Sequence, residues 1–154
     1  VQAVAFARSR AGAESLATNA RRRVEHDDPV RAEGVAAYRG GYLPQDRREI
    51  ERGLRDGSVR GLAATNALEL GIDVSGLDAV VMAGWPGRRA SLWQQAGRAG
   101  RRGQGALVFT VDEFVGRNLL ADELVERLVL GEGADDVIAD VYENGKRRSS
   151  PPAM

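Results

Sequence analysis

An arginine–glycine cluster near residue 100 has the residue types and spacing best suited to chemistry. Residues 94–101 read Gln-Gln-Ala-Gly-Arg-Ala-Gly-Arg, so that glycine precedes both Arg98 and Arg101. Glycine allows close approach of the backbone to a ligand, and two arginines three positions apart can reach one anion. A guanidinium group does not act as a base, but it stabilises charge on a transferring phosphoryl group. The cluster predicts that Arg98 and Arg101 together bind a phosphate group. The alternative is a basic surface turn with structural glycines.

The other parts that phosphoryl transfer needs are not found in these 154 residues. No Gly-x-x-x-x-Gly-Lys-Ser/Thr phosphate loop occurs. The pairs Asp112-Glu113 and Asp122-Glu123 begin like a magnesium-binding motif but continue into apolar residues, and we interpret them as solvated acids beside core positions. Because a phosphate cradle and a magnesium carboxylate are required, we expect the chain alone neither to bind ATP tightly nor to hydrolyse it.

Alternating strand and helix patterns must position the cluster. Apolar runs predict strands over residues 1–7, 34–38, 59–65, 78–83 and 105–111, and helical spacing predicts helices over 9–24, 43–57 and 91–96. This alternation is typical of an α/β fold with a parallel sheet and helices on both faces. Ligands bind such sheets at the carboxyl ends of the strands, so a site is expected in the loops after the third and fourth predicted strands, which carry residues 64–73 and 94–101.

Composition and charge indicate an ordinary globular protein. Apolar residues make up 43% and charged residues 29%, and no apolar run is long enough to span a membrane. Cysteine is absent, which excludes disulfides and cysteine zinc sites here and agrees with a cytoplasmic location. The apolar start, residues 1–6, lacks a basic leader, so we read it as a strand inside a longer protein and not as a signal peptide.

Residues 1–105 hold 17 arginines and no lysine against 12 acids. Arginine suits phosphate contact, although a GC-rich genome gives the same bias.

Four segments in order resemble superfamily-two helicases of the DEAD/DEAH type. Residues 94–101 resemble motif VI, residues 64–73 resemble motif V with its Gly-Ile-Asp core, residues 6–10 resemble motif IV, and residues 38–41 resemble the intervening segment that meets the strand backbone. The resemblance covers residues 1–111 and implies a C-terminal, RecA-like (helicase C) domain. The wider pattern, including Gly-Trp-Pro-Gly at 84–87, resembles the RecQ-four-related DNA helicases of bacteria and fungi.

The resemblance implies a role for individual positions. Arg98 and Arg101 would reach the γ-phosphate as catalytic arginines, and the residues near the nucleotide would be Gln94, Gly71 and Asp73. The positions that would contact the backbone of a nucleic-acid strand are Ser9, Arg10, Arg39, Gly40 and Thr65. The implied cofactor is ATP with Mg2+, held mainly by a first, N-terminal motor domain that these residues do not include. The implied partners are that domain and single-stranded or duplex nucleic acid, with DNA favoured over RNA; no metal site of its own and no membrane contact are expected.

Other interpretations remain at several positions. Ser9 could serve only as a helix cap, Trp85 could stack on a base or pack against protein, and Trp93 fits the core. We interpret Arg21–Arg23 as a solvated helix end and His26 as an exposed loop residue. The whole chain could also be an orphan, non-catalytic module that binds nucleic acid or modulates a helicase. A dinucleotide-binding enzyme fits poorly, because no glycine-rich turn follows the first strand.

The resemblance over residues 1–111, together with the helical spacing and composition of the residues after it, predicts the organisation of the chain. Residues 1–111 would form the helicase C-terminal domain. Residues 112–143 would form an acidic helical extension, with helices over 112–130 and 134–142, and residues 144–154 a disordered tail. This extension departs from the RecQ-four-related pattern, because no zinc-ligand cysteines follow the last strand.

Overall fold

The computed structural model describes residues 2–38, 43–65, 77–83, 89–96, 107–111 and 119–131. The strands are β1 (Ala3–Phe6), β2 (Val35–Tyr38), β3 (Gly61–Ala64), β4 (Ala79–Ala83) and β5 (Leu107–Val111). The helices are α1 (Arg10–Asp27), α2 (Pro29–Ala32), α3 (Pro44–Asp56), α4 (Arg89–Ala96) and α5 (Leu119–Leu130). The five strands pair in parallel in the order β2-β3-β1-β4-β5. The predicted α/β class, with a RecA-like parallel sheet, is confirmed.

The register brings the carboxyl ends of the strands to one level. Phe6, at the end of β1, lies opposite Ala64 of β3 on one side and Met82 of β4 on the other. Ala64 in turn lies opposite Tyr38, the last residue of β2. The strands β1, β2 and β3 therefore end side by side, along one edge that we call the carboxyl edge.

Helices α1 and α5 cover a face of the sheet that is built from small side chains. Successive strand residues point to opposite faces, and the side chains on this face include Ala3, Ala5, Ala63, Ala79 and Val81. Gly61 shows how closely α5 lies on β3, because an added Cβ would stand 2.9 Å from Cγ2 of Val129. Leu124 and Leu128 of α5 are fully buried in the same cluster. Helix α5 thus completes the core.

The opposite face carries larger side chains and is covered in part by α3. Its buried members include Val4, Phe6, Leu62, Val80 and Met82, and the partly buried Ile50 and Leu54 of α3 pack against them. Helix α3 begins with Pro44 in its first turn and ends at Gly57, whose φ of +83° suits glycine. These are the start and stop that the sequence predicted.

Helix α1 differs from its prediction at the carboxyl-terminal end. It continues to Asp27, and α2 follows after Asp28. Asp28 accepts a hydrogen bond from the backbone N–H of Arg31 at 3.1 Å, so it caps a second short helix that begins with Pro29. The prediction that His26 lies in a loop is therefore wrong, because His26 belongs to the last turn of α1. Its side chain is exposed, as expected.

The arginine triplet is largely exposed, as expected, but α1 continues for four residues beyond it, so the prediction that it forms the helix end is wrong. Arg21 donates to the carbonyl oxygen of Val35 on β2, the edge strand, where a side chain on the outward carbonyl discourages pairing with another strand. Arg23 forms a 3.0 Å ion pair with Glu126 of α5. Both side chains therefore bind neighbouring elements, which the charge run by itself did not indicate.

The interpretation of Asp122-Glu123 as solvated acids is wrong for Asp122. Its side chain is 1% exposed, and among the described residues no donor lies within hydrogen-bond geometry of either carboxyl oxygen, Asn19 being nearby without meeting that geometry. Burial raises the pKa of Asp122 to about 6, an effect that nearby Asn19 and Arg23 of α1 reduce in part. The pair Asp112-Glu113, the predicted helix 134–142 and the predicted disorder of 144–154 lie outside the described residues. Within the described ranges, no helix has the length and apolar character needed to cross a membrane.

Candidate nucleic-acid interface

The segment after β1 places Ser9 and Arg10 at the carboxyl edge. Ser9 has extended backbone angles, and its Oγ accepts a hydrogen bond from the N–H of Gly12 at 2.9 Å. It is therefore the N-cap of α1, as predicted, and its hydroxyl hydrogen can still be donated to another acceptor. Arg10, the first helical residue, is exposed. The amino terminus of a helix carries partial positive charge and free N–H groups, so this corner suits an anion.

The segment after β3 brings Thr65 to the same edge. Thr65 directly follows Ala64 and is partly buried. The carbonyl oxygen of Ala64 accepts a hydrogen bond from the N–H of Ala7 at 2.8 Å, which continues the pairing of β1 and β3 to the point where both chains leave the sheet. Three of the five predicted strand-binding residues, Ser9, Arg10 and Thr65, therefore follow neighbouring strands that end at one level.

The other two, Arg39 and Gly40, lie outside the described residues, but both sides of their segment are described. Tyr38 precedes them and is 1% exposed. Its hydroxyl oxygen accepts a hydrogen bond at 2.9 Å from Nε of Arg47, in the first turn of α3. The guanidinium carbon of Arg47 lies 5.8 Å from the centroid of the Tyr38 ring. Sequence reasoning gave Arg47 no role, because a contact across eight intervening positions leaves no periodic signal.

The predicted nucleotide side is described only at Gln94. This residue is exposed on α4, which packs near β4, while its neighbour Gln95 is 6% exposed. The catalytic candidates Arg98 and Arg101, and the nucleotide-binding candidates Gly71 and Asp73, lie outside the described residues. So do Trp85 and the side chain of Trp93. Their roles stay predictions.

The charge of the described edge favours a polyanion. Arg10 and Arg48 are exposed at the amino-terminal turns of α1 and α3, with Arg47 partly buried between strand and helix. Asp46 in the first turn of α3 is an acid that offsets part of this charge. Two helix amino termini and several arginines at the ends of parallel strands can bind phosphate and sugar, which positions a strand without reading its bases.

Comparison with known proteins places this arrangement in a family. Residues 2–103 match the helicase conserved C-terminal domain. YprA of Bacillus subtilis, described as an uncharacterized ATP-dependent helicase, is 50% identical over 111 residues, which cover 72% of this chain and 15% of that protein. The ATP-dependent helicase HRQ1 of Saccharomyces cerevisiae is 53% identical over 77 residues, 50% of this chain and 7% of that protein. The expected RecQ-four-related subgroup is consistent with this second match.

A solved structure shows the same architecture. The crystal structure of the DUF1998 helicase MrfA bound to DNA and AMPPNP is 44% identical, with a TM-score of 0.66, and the match covers 82% of this chain and 17% of that one. The matched segments thus span between about a fifteenth and a sixth of the length of these relatives. With its RecA-like parallel sheet, the chain belongs to the helicase conserved C-terminal domain family, within the superfamily-two helicases.

Proposed function

We propose that this chain acts as the second motor domain of an ATP-dependent helicase and holds the backbone of one nucleic-acid strand along its carboxyl edge. The observation that carries the proposal is the level ending of β1, β2 and β3, which puts Ser9, Arg10 and Thr65 on adjacent segments. Phosphates of one strand repeat along a line, so a row of hydroxyl, amide and guanidinium donors along one edge suits them.

The nucleotide half of the proposal concerns Arg98 and Arg101. In it, ATP with Mg2+ is held mainly by a first motor domain, and the two arginines stabilise charge on the γ-phosphate across the cleft. Gln94, Gly71 and Asp73 line this domain's side of the cleft. The relatives named as ATP-dependent helicases and the MrfA complex with AMPPNP support this assignment. Closing of the two domains on ATP would change the contacts between the carboxyl edge and the nucleic-acid backbone. ATP hydrolysis would in this way be coupled to movement along the strand.

DNA is the proposed substrate, in preference to RNA. The support is that MrfA is described as bound to DNA and that the sequence resembles DNA helicases. Because the proposed contacts are to phosphate and sugar, the domain is expected to show little sequence preference.

The proposed boundary at residue 111, between the helicase domain and the acidic extension, bears on how the domain folds. It assigns α5 to the acidic extension, residues 112–143, yet α5 supplies Leu124 and Leu128 to the core. We therefore expect the extension to be required for a stable domain, and not to be a separable tail.

Strand binding is tested by titrating labelled single-stranded DNA against the chain at two salt concentrations. Arg10→Ala should weaken binding and lower the salt dependence by roughly 0.7 in log–log slope if one phosphate contact is lost. Arg22→Ala is the matched control: it removes the same charge from an exposed position of the same helix, about 18 Å further along its axis. Thr65→Ala is compared in the same way with Thr18→Ala, on the exposed side of α1.

If Arg10→Ala and Arg22→Ala lowered the affinity for single-stranded DNA equally, a strand site at the carboxyl edge would be contradicted, because binding would then depend only on net charge. A labelled RNA of the same sequence, used as competitor, tests the DNA preference; stronger competition by RNA would reverse it.

The nucleotide role is tested by hydrolysis of ATP. The isolated chain should show no appreciable turnover. Fused behind a first motor domain that carries a phosphate loop, it should support DNA-stimulated turnover that Arg98→Ala or Arg101→Ala abolishes and Arg55→Ala preserves. Strand binding with no turnover in the fused protein would favour the orphan binding module.

A further inference from the structure

Helices α1 and α5 pack against each other, and their contact contains a polar cluster among apolar side chains. Asp122, in the first turn of α5, is 1% exposed, and no donor in the described residues has hydrogen-bond geometry toward either of its oxygens. Asn19 and Arg23, one turn apart on α1, are the groups that favour its ionised form. A buried carboxyl group without a donor is tolerated when neutral but is costly when ionised. The protonation state of Asp122 therefore affects how closely α5 packs on α1.

Arg23, the cation that acts on Asp122, is already paired with another acid. Its Nη1 lies 3.0 Å from Oε2 of Glu126, one turn after Asp122 on α5. The described strand side chains in the core beneath α5 are alanines and valines, which offer neither a charge nor a donor. An ionised Asp122 consequently has no cation of its own among the described residues, and it becomes hydrated when the first turns of α5 move away from α1.

His26 is a second group near this contact that titrates close to neutral pH. It lies in the last turn of α1, and its pKa is raised mainly by the hydrogen bond and charge of Asp27, with a smaller contribution from Glu126 of α5. Protonated His26 therefore also favours a closed contact. Because its side chain is exposed, solvent screens this attraction, and the larger effect belongs to Asp122.

The two ends of α5 are held differently. In the last turn, the carbonyl oxygen of Leu130 accepts a hydrogen bond from Arg31 of α2, and Leu128 is fully buried. In the first turn, the described buried side chains are Ala121 and Asp122. Alanine contributes little apolar area, and Asp122 lacks a donor, so an opening of α5 should begin at its amino-terminal half.

We propose that the contact between α1 and the amino-terminal half of α5 is a pH-sensitive joint, closed while Asp122 is protonated and opened locally when Asp122 ionises. The sheet and the carboxyl-terminal end of α5 stay in place in the open form.

The direction and size of the pH effect follow from the buried carboxyl group. Burial raises the pKa of Asp122 from 3.8 to about 6 in the closed form. The closed form is therefore favoured fully below pH 3.8, and this advantage is lost as pH rises through about 6. If the pKa returns to its ordinary value on opening, the open population rises about tenfold between pH 5 and pH 7.5.

The experiment is amide hydrogen exchange of the chain, resolved by residue with NMR, at pH 5 and pH 7.5 and at several low urea concentrations. After correction for the intrinsic pH dependence of exchange, the amides of residues 123–126 should exchange about tenfold faster at pH 7.5. Their exchange should vary little with urea, because a local opening exposes little surface, whereas amides of β1 should show the strong urea dependence of global unfolding.

Substitutions assign the effect to one side chain. Asp122→Asn should abolish the tenfold difference, while Glu123→Gln, the same chemical change at the next position, should preserve it. His26→Gln should also preserve it. Asn19→Asp places a second carboxyl group beside Asp122, which disfavours ionisation, so the loss of protection should move to higher pH.

Three results would overturn the joint. The first is a pH difference that survives in Asp122→Asn or disappears in His26→Gln. The second is exchange of residues 123–126 with the rate and urea dependence of β1, because α5 would then open only on global unfolding. The third is a loss of protection at the same pH in wild type and Asn19→Asp.

Discussion

Replacing Asp122 with asparagine should stabilise the protein at neutral pH and have little effect in acid. The carboxyl group is buried beside Asn19 and Arg23 of α1, and its two oxygens find no donor in hydrogen-bond geometry among the described residues. Burial is the largest cause of its raised pKa, and Asn19 and Arg23 compensate only in part. Asparagine has nearly the same shape without the charge, so it removes the cost of burying the ionised form.

The shift of the Asp122 pKa gives both the size of the stabilisation expected for Asp122→Asn and the pH range over which it develops. The pKa rises from 3.8 to about 6 on folding, and each pKa unit corresponds to about 1.4 kcal/mol, so the ionised form costs up to about 3 kcal/mol. Because the folded pKa is raised, Asp122 favours the folded state fully below pH 3.8, and this contribution is lost as pH rises through about 6. The advantage of Asp122→Asn should therefore develop between these limits and be complete by pH 7.5.

The assay is urea denaturation of wild type and Asp122→Asn at pH 4 and pH 7.5, with melting curves alongside. For a domain of this size, about 3 kcal/mol corresponds to roughly 6–12 °C in melting temperature. Glu123→Gln makes the same chemical change at the partly buried neighbouring position and controls for loss of charge on α5. The reasoning is refuted if Asp122→Asn is destabilising at pH 7.5, or if its effect is the same at both pH values.

Substitutions at three further positions test the packing and the cap. Gly61→Ala should destabilise by roughly 1–3 kcal/mol, because its Cβ would stand 2.9 Å from Val129; a denaturation midpoint equal to that of wild type would contradict the close contact of α5 with β3. Leu128→Ala should cost about 2–5 kcal/mol by opening a cavity under α5, and unchanged stability would show that α5 does not belong to the core. Ser9→Ala should cost about 1 kcal/mol through loss of the N-cap, whereas Ser9→Asp keeps a capping oxygen and should retain stability yet weaken DNA binding by charge repulsion. Equal DNA affinity for wild type and Ser9→Asp would remove Ser9 from the strand site.

Much of the fold could be predicted because its signals are local. The strand β4 is a continuous apolar run, α3 is bounded by Pro44 and Gly57, and Ser9 caps α1 through a contact only three residues along. The parallel order of strands and helices then requires that the segments after β1 and β3 meet at one edge. Ser9, Arg10 and Thr65 are grouped by their resemblance to helicase motifs IV and V, and the observed pairing of β1 with β3 agrees with that grouping.

Tertiary structure decided what the side chains of the charged residues do. Asp122 follows the pattern of a surface acid, but the helical face that holds Leu124 and Leu128 against the sheet also turns Asp122 toward α1. Arg21, Arg23 and Arg47 find partners on elements distant in the chain, at Val35, Glu126 and Tyr38. Periodicity fixes which face of a helix is apolar. It does not specify which neighbouring element is contacted by residues at the border of that face, because this contact depends on how the helices pack on the folded sheet.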